Sequence, residues 1–320
     1  GTIFLYIDGV LDHTENDVVA PSPNFNHFSV GAIYDDKNTI TNPFLGEIDE
    51  IYIWNQALTE AQVKYLMNQE VERFDVAGTD YVTGKVVPYN AASNEVASIP
   101  WSDLEVYYNF NCFHGSTVEG LSDSRQFLRL KHLDKDKALV DDQTAPLPYI
   151  TVADGTWDNP GTWSNSANQM IPNSLGLDGV TSIDWNIIES NHNISSGDRD
   201  ISLLALKNNA GVITMADPNE SLDETNSGQA LKVTNYLEID GAIDLVGESQ
   251  LIQTEGSVLD QDSGGFIERD QQGTANSFNY NYWSSSVGPV SGNSATRGTG
   301  ISSTNANHTL SGVLSVSYTH

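Results

Sequence analysis

The sequence predicts an all-β protein made of successive modules, on three observations. Apolar and polar residues alternate over brief runs, as they do along half-buried strands. The runs are punctuated by glycine and asparagine, with Gly241, Gly247 and Gly256 marking the densest stretch. The clearest helix signal stands alone, at Thr59–Met67. At 320 residues, 38% hydrophobic and 18% charged, the chain can bury substantial cores, and its length suggests roughly two to three domains.

Taken in order, Leu5–Gly9 (LYIDG) is a strand running into an Asp-Gly turn, and Ser29–Ala32 (SVGA) begins a second. Ile48, Tyr52 and Trp54 alternate with acids as a third strand, which closes on Asn55–Leu58. Thr59 then caps a short helix, and Gln62, three residues on, completes a capping box. Tyr81–Val87 starts a new β-rich stretch, followed by a strand within Trp101–Asn111 and the pair Asp123-Ser124. Ala145-Pro146-Leu147-Pro148 breaks the chain.

Beyond Tyr149 the texture changes. Asp154–Trp163 (DGTWDNPGTW) is a turn motif anchored by two tryptophans. Strands are expected at Ile201–Leu206, Gly211–Met215, Leu231–Val233, Tyr236–Ile239, Ala242–Leu245, Gln250–Gln253 and Ser257–Leu259. Strands this short and this closely spaced suit a β-solenoid, in which each turn buries its apolar residues on the next. Phe266–Arg269 follows, and then the aromatic cluster of Tyr280, Tyr282 and Trp283. That cluster reads either as a carbohydrate-stacking platform or, more simply, as a cap on the end of the stack. From Gly288 to Asn307 the sequence is loop-like.

Two resemblances follow from these motifs. Leu5–Gly9, Ser29–Ala32 and Pro43–Leu66 together resemble the C-terminal half of the laminin-G-like, concanavalin-type jelly-roll domains of bacterial surface proteins. The likeness covers about a fifth of the chain and implies a binding or adhesive module. Since such a sandwich needs about twice the residues that precede Met67, its first half is expected to be absent, and Ser315–His320 reads like translated adapter sequence. The tryptophan motif and Tyr282–Ser285 resemble large secreted proteins of the Bacteroidetes that leave by the type IX route. The expected organisation is a partial laminin-G-like jelly-roll sandwich at 1–70, a small β-linker module at 71–148, a β-solenoid-like stack of short strands at 149–290, and a loop-like tail at 291–320. The laminin-G resemblance also implies calcium at a sandwich edge, with Asp35, Asp36 and Asp49 as the acids best placed to hold it. The place implied for the protein is extracellular or at the cell surface.

Composition narrows the partners. A net charge of −29, from 43 acids against 14 bases, repels a phosphate backbone, so nucleic acid is excluded as a partner. No apolar run reaches bilayer length, so membrane insertion is not expected. The single Cys112 excludes an internal disulfide framework, and beside His114 it lacks the orienting acid of a nucleophilic site. None of the seven histidines has metal-ligand spacing, and no nucleophile elbow or phosphate loop occurs. The reading is a non-catalytic piece of a secreted surface protein, serving adhesion, carbohydrate binding or module presentation to an extracellular glycan or surface protein ligand. The alternative is an accessory region of a polysaccharide-degrading enzyme or protease whose catalytic domain lies elsewhere.

Overall fold

This computed structural model describes residues 1–20, 22, 28–34, 39–46, 48–89, 99–111, 113–131, 148–164, 171–217 and 228–270. Asp35, Asp36, Cys112, Tyr280, Tyr282, Trp283 and the 291–320 tail lie outside them.

The first part is assembled from local hairpins. β1 (Ile3–Ile7) and β2 (Val10–Glu15) pair antiparallel through Asp8 and Gly9, both left-handed at φ 51° and 79°, as a tight two-residue turn demands. Gly9 is also fixed by space, because a Cβ there would stand 2.5 Å from the Trp185 indole nitrogen. β3 (Ile33–Tyr34) and β4 (Ile40–Thr41) form a second small pair. The strand expected from Ser29 starts later, since the Ser29 hydroxyl donates to the Ala32 carbonyl (2.7 Å) and Gly31 turns the backbone at φ 76°.

β5 (Ile51–Trp54) likewise begins beyond Ile48, because Glu50 is left-handed at φ 49° and its N–H donates to the Asp49 carboxylate (2.9 Å). The helix α1 (Glu60–Leu66) is where the sequence puts it. Gln62 N donates to Thr59 Oγ1 (3.2 Å) and Thr59 N donates to Gln62 Oε1 (2.8 Å), so the capping box is complete. It is the one α-helix among the described residues, and it buries Tyr65 and Leu66.

β6 (Val71–Val76) and β7 (Thr79–Gly84) form another hairpin. β8 (Leu104–Tyr108) then pairs antiparallel with β5, setting Ile51 against Tyr108 and Ile53 against Val106. Segments on either side of residue 70 thus share one ladder. β9 (Phe113–His114), β10 (Thr117–Val118) and β11 (Leu128–Arg129) make a three-stranded sheet beside it. The Asp123-Ser124 pair serves packing, with Asp123 accepting from Arg73 and Ser124 Oγ donating to the Glu105 carbonyl (2.7 Å).

The second part coils. Its strands are β12 (Tyr149–Ile150), β13 (Gly155–Thr156), β14 (Ile187–Ser190), β15 (Ile194–Ser195), β16 (Ile201–Asn208), β17 (Val212–Met215), β18 (Ala230–Ile239), β19 (Ala242–Leu245), β20 (Gln250–Gln253), β21 (Val258–Leu259) and β22 (Phe266–Arg269). All pair in parallel, in two sheets that the chain feeds alternately: β12, β14, β16, β18 with β20 and β21, and β13, β15, β17, β19, β22. A parallel pair needs a crossover. From β12 to β20 each strand returns to its own sheet by way of a strand in the other, and β21 follows β20 within one sheet, both pairing with β18.

Register then stacks like on like. Ile188, Leu206, Leu237 and Leu259 are successive partners, as are Ile194, Ile213, Ile243 and Ile267. Leu206, Leu237 and Ile243 have no exposed surface. At the corner between sheets, a Cβ on Gly241 would stand 2.3 Å from the Gly211 carbonyl oxygen, and one on Gly265 would stand 2.0 Å from that of Gly241. Glycine is required there because consecutive turns touch through backbone.

The tryptophan motif closes the coil beside its first strands. Trp157 and Trp163 meet edge to face at 4.9 Å and are 1% and 2% exposed. Trp157 Nε1 donates to the Pro172 carbonyl and Trp163 Nε1 to that of Trp157, both at 2.9 Å, so each indole is satisfied in the core.

One core joins the two parts. Tyr65, Leu66, Val71, Trp101 and Tyr107 pack with Trp185, Ile187, Leu204 and Tyr236 of the coil. Trp185 is the pivot: its Nε1 donates to the Asp8 carbonyl (3.0 Å), Asn68 Nδ2 donates to its own carbonyl (3.0 Å), and Lys64 Nζ lies 3.9 Å from its ring.

Candidate functional site

Of the three acids expected to hold calcium, Asp49 alone lies among the described residues. Its Oδ1 accepts from Glu50 N, and burial, with the Glu70 charge, pushes its carboxyl above the ordinary carboxylate range. Among the described residues no group of three or more His, Cys, Asp or Glu side chains is placed to hold a metal ion.

The neighbouring Glu50 is more unusual. Burial pushes its carboxyl up to about 7, the hydrogen bond from the Tyr52 hydroxyl opposes that, and the nearby Asp49 and Glu70 charges reinforce it. Tyr52 stacks on Tyr107 at 4.9 Å, and burial, together with these acids, pushes both phenols far above their ordinary value. Glu70 is held by Lys85 and by Asn111 Nδ2 (3.2 Å). The cluster therefore sits in the β5–β8 joint as an acid raised by burial among structural partners.

A different arrangement opens on the flank of the coil, near the tryptophan motif. An open groove of about 620 Å³ lies between Asp158, the loop from Asn173 to Ser182, and the Arg199-Asp200 pair before β16. Asn173 organises it. The residue is 5% exposed and left-handed at φ 58°, with its N–H donating to Asn186 Oδ1 (2.7 Å) and its Nδ2 to Asp184 Oδ1 (3.0 Å). Its own carbonyl accepts from the Arg199 guanidinium, whose other arm donates to Asp158 Oδ1 (2.6 Å). The cation is thus held by Asp158 and by both the carbonyl and Oδ1 (3.4 Å) of Asn173, with donors to spare. Within the same loop, Asp178 accepts from Val180 N, Thr181 N and Thr181 Oγ1, which holds its carboxyl below the ordinary range and fixes the turn. The sequence expectations missed this groove. The available signal was Arg199 between Asp198 and Asp200, a lone base among acids in a base-poor chain.

Asn193 is committed to structure, with its Oδ1 accepting from Val212 N (3.0 Å). No curated protein and no solved structure matches the chain. Residues 1–64 match the family model Laminin_G_3, described as the concanavalin A-like lectin/glucanases superfamily, so this part of the chain is laminin-G-like.

Proposed function

We propose that the protein is a non-catalytic component of a secreted, cell-surface assembly of the Bacteroidetes type, which binds glycan and carries its laminin-G-like part on a rigid support. The observation that carries this reading is the concanavalin A-like lectin match over residues 1–64. The core shared through Trp185 supports the carrying role, since a module locked to its neighbour presents its surface in one orientation. The alternately fed parallel sheets support reading the second part as a β-solenoid, a form that serves as a spacer because each turn contacts only its neighbours. No helix among the described residues is long and apolar enough to cross a membrane.

The superfamily's description includes glucanases, which keeps the accessory region of a polysaccharide-degrading enzyme as the second reading. Both are tested by exposing the whole chain to a panel of plant and marine glycans, measuring binding and the release of reducing ends or unsaturated uronates. Binding without release is the expected result. Release abolished by substituting one Asp or Glu would sink the non-catalytic reading. Calcium at Asp35, Asp36 and Asp49 belongs to the same proposal. A melt in calcium against chelator should move by about 2.7 kcal/mol at a hundredfold excess over the dissociation constant, and an unmoved midpoint removes it.

A further inference from the structure

We propose that the Arg199 groove is a binding subsite for a neutral sugar unit, separate from the laminin-G-like residues 1–64; this rests on the glycan-binding reading above. Its volume, about 620 Å³, falls within the range of small-molecule clefts. Its chemistry suits a polyol. Arg199 offers guanidinium N–H groups beyond those it gives to Asp158 and Asn173, and the carboxylates of Asp158 and Asp200 offer acceptor oxygens. Ser182 is already committed, donating to Asp184 Oδ1 (2.5 Å) and accepting from Asn173 Nδ2 (3.3 Å), while Leu175, half exposed, gives the one apolar surface among the lining residues, against which the C–H face of a pyranose can lie.

Charge selects among sugars. Two carboxylates line the groove with one guanidinium, which is already paired with Asp158, in a chain of net charge −29, so a uronate or sulfated sugar is repelled. Neutral hydroxyls can both donate to the acids and accept from the cation. The site is also preorganised. Arg199 is pinned by Asp158 and by the buried Asn173, so binding costs little side-chain ordering.

The test uses the full chain, titrated by NMR or calorimetry with neutral glucan, xylan and mannan oligosaccharides, and with a uronate oligosaccharide as contrast. At least one neutral oligosaccharide should bind. Arg199→Ala should then weaken it tenfold or more, and Leu175→Ala, on an exposed side chain, by about threefold with the melting midpoint unchanged. The second variant covers the case that Arg199→Ala unfolds the loop. Neutral binding that survives both variants overturns the groove while leaving the glycan reading intact. A preference for the uronate, lost in Arg199→Ala, overturns the neutral class. Failure of every oligosaccharide to bind removes the glycan reading itself.

Discussion

The hairpins of residues 1–41 and the coil from Tyr149 to Arg269 are both β structure, yet they treat apolar side chains in opposite ways. Phe4 and Leu5 of β1 are 55% and 50% exposed, and Ile33 of β3 is 56% exposed. Leu237 and Ile243 of the coil are wholly buried. Hairpins satisfy their backbone locally and so can form with one face uncovered. A parallel coil cannot form that way, because each strand finds its partner only when the next turn has been laid down, and the ladders of Leu and Ile are what hold the turns together. Hydrogen bonding alone does not make a core, and the two regions separate these contributions within one chain.

The contrast is sharpest in truncation. Leu237→Ala or Ile243→Ala should cost about 2–5 kcal/mol in urea unfolding, by lost transfer energy plus a cavity that neighbouring turns cannot fill. Leu5→Ala should stay within about 0.5 kcal/mol, since its side chain is half in water already. Equal losses would show that β1 is covered in solution by something the contrast ignores.

Next is the joint. Trp185→Ala should cost about 3 kcal/mol and, in hydrogen exchange, should release the amides of β1, β2 and α1 while β16 to β19 keep their protection. Uniform release across the chain would mean that the two parts unfold as one.

A smaller effect concerns pH. The fold raises the Glu50 carboxyl from 4.5 to about 7, so the folded chain holds that proton more tightly than the unfolded one. Stability from this group is whole below about 4.5 and is lost as pH rises through about 7. Asp49, Glu189 and Asp244 are also shifted upward, mainly by burial, and add in the same sense. The melting midpoint should therefore be higher near pH 5 than near pH 8 by a few degrees, roughly 1 kcal/mol, and Glu50→Gln should flatten the difference. A midpoint that climbs toward pH 8 in the native chain would contradict it.

What the sequence made legible was local. The capping box at Thr59 and Gln62 depends on residues three apart, and the brief strands of the coil are bounded by glycines whose role is visible in the spacing. β18 runs unbroken where two strands were expected, because its two halves pair with β20 and β21 in turn. Pairings between distant segments left no such trace. Nothing in Ile51–Trp54 announces Leu104–Tyr108 as its partner, since alternation says which face is apolar and not what lies against it. The groove was hidden for the same reason: Asp158, Asn173 and Arg199 meet only once the coil has formed.

The tryptophan plug has a consequence for the order of events on the ribosome. Trp157 and Trp163 leave before any of the stacked strands from β14 onward, but Trp157 N donates to the Ser195 carbonyl and its Nε1 to that of Pro172, so the base is finished once β14 and β15 have followed. Each later turn then emerges opposite an edge that is already waiting, and its search is confined to one neighbour. Assembly has a direction, as in a ratchet: the chain winds onto a finished base, and an unmade turn never has to hold two open edges at once.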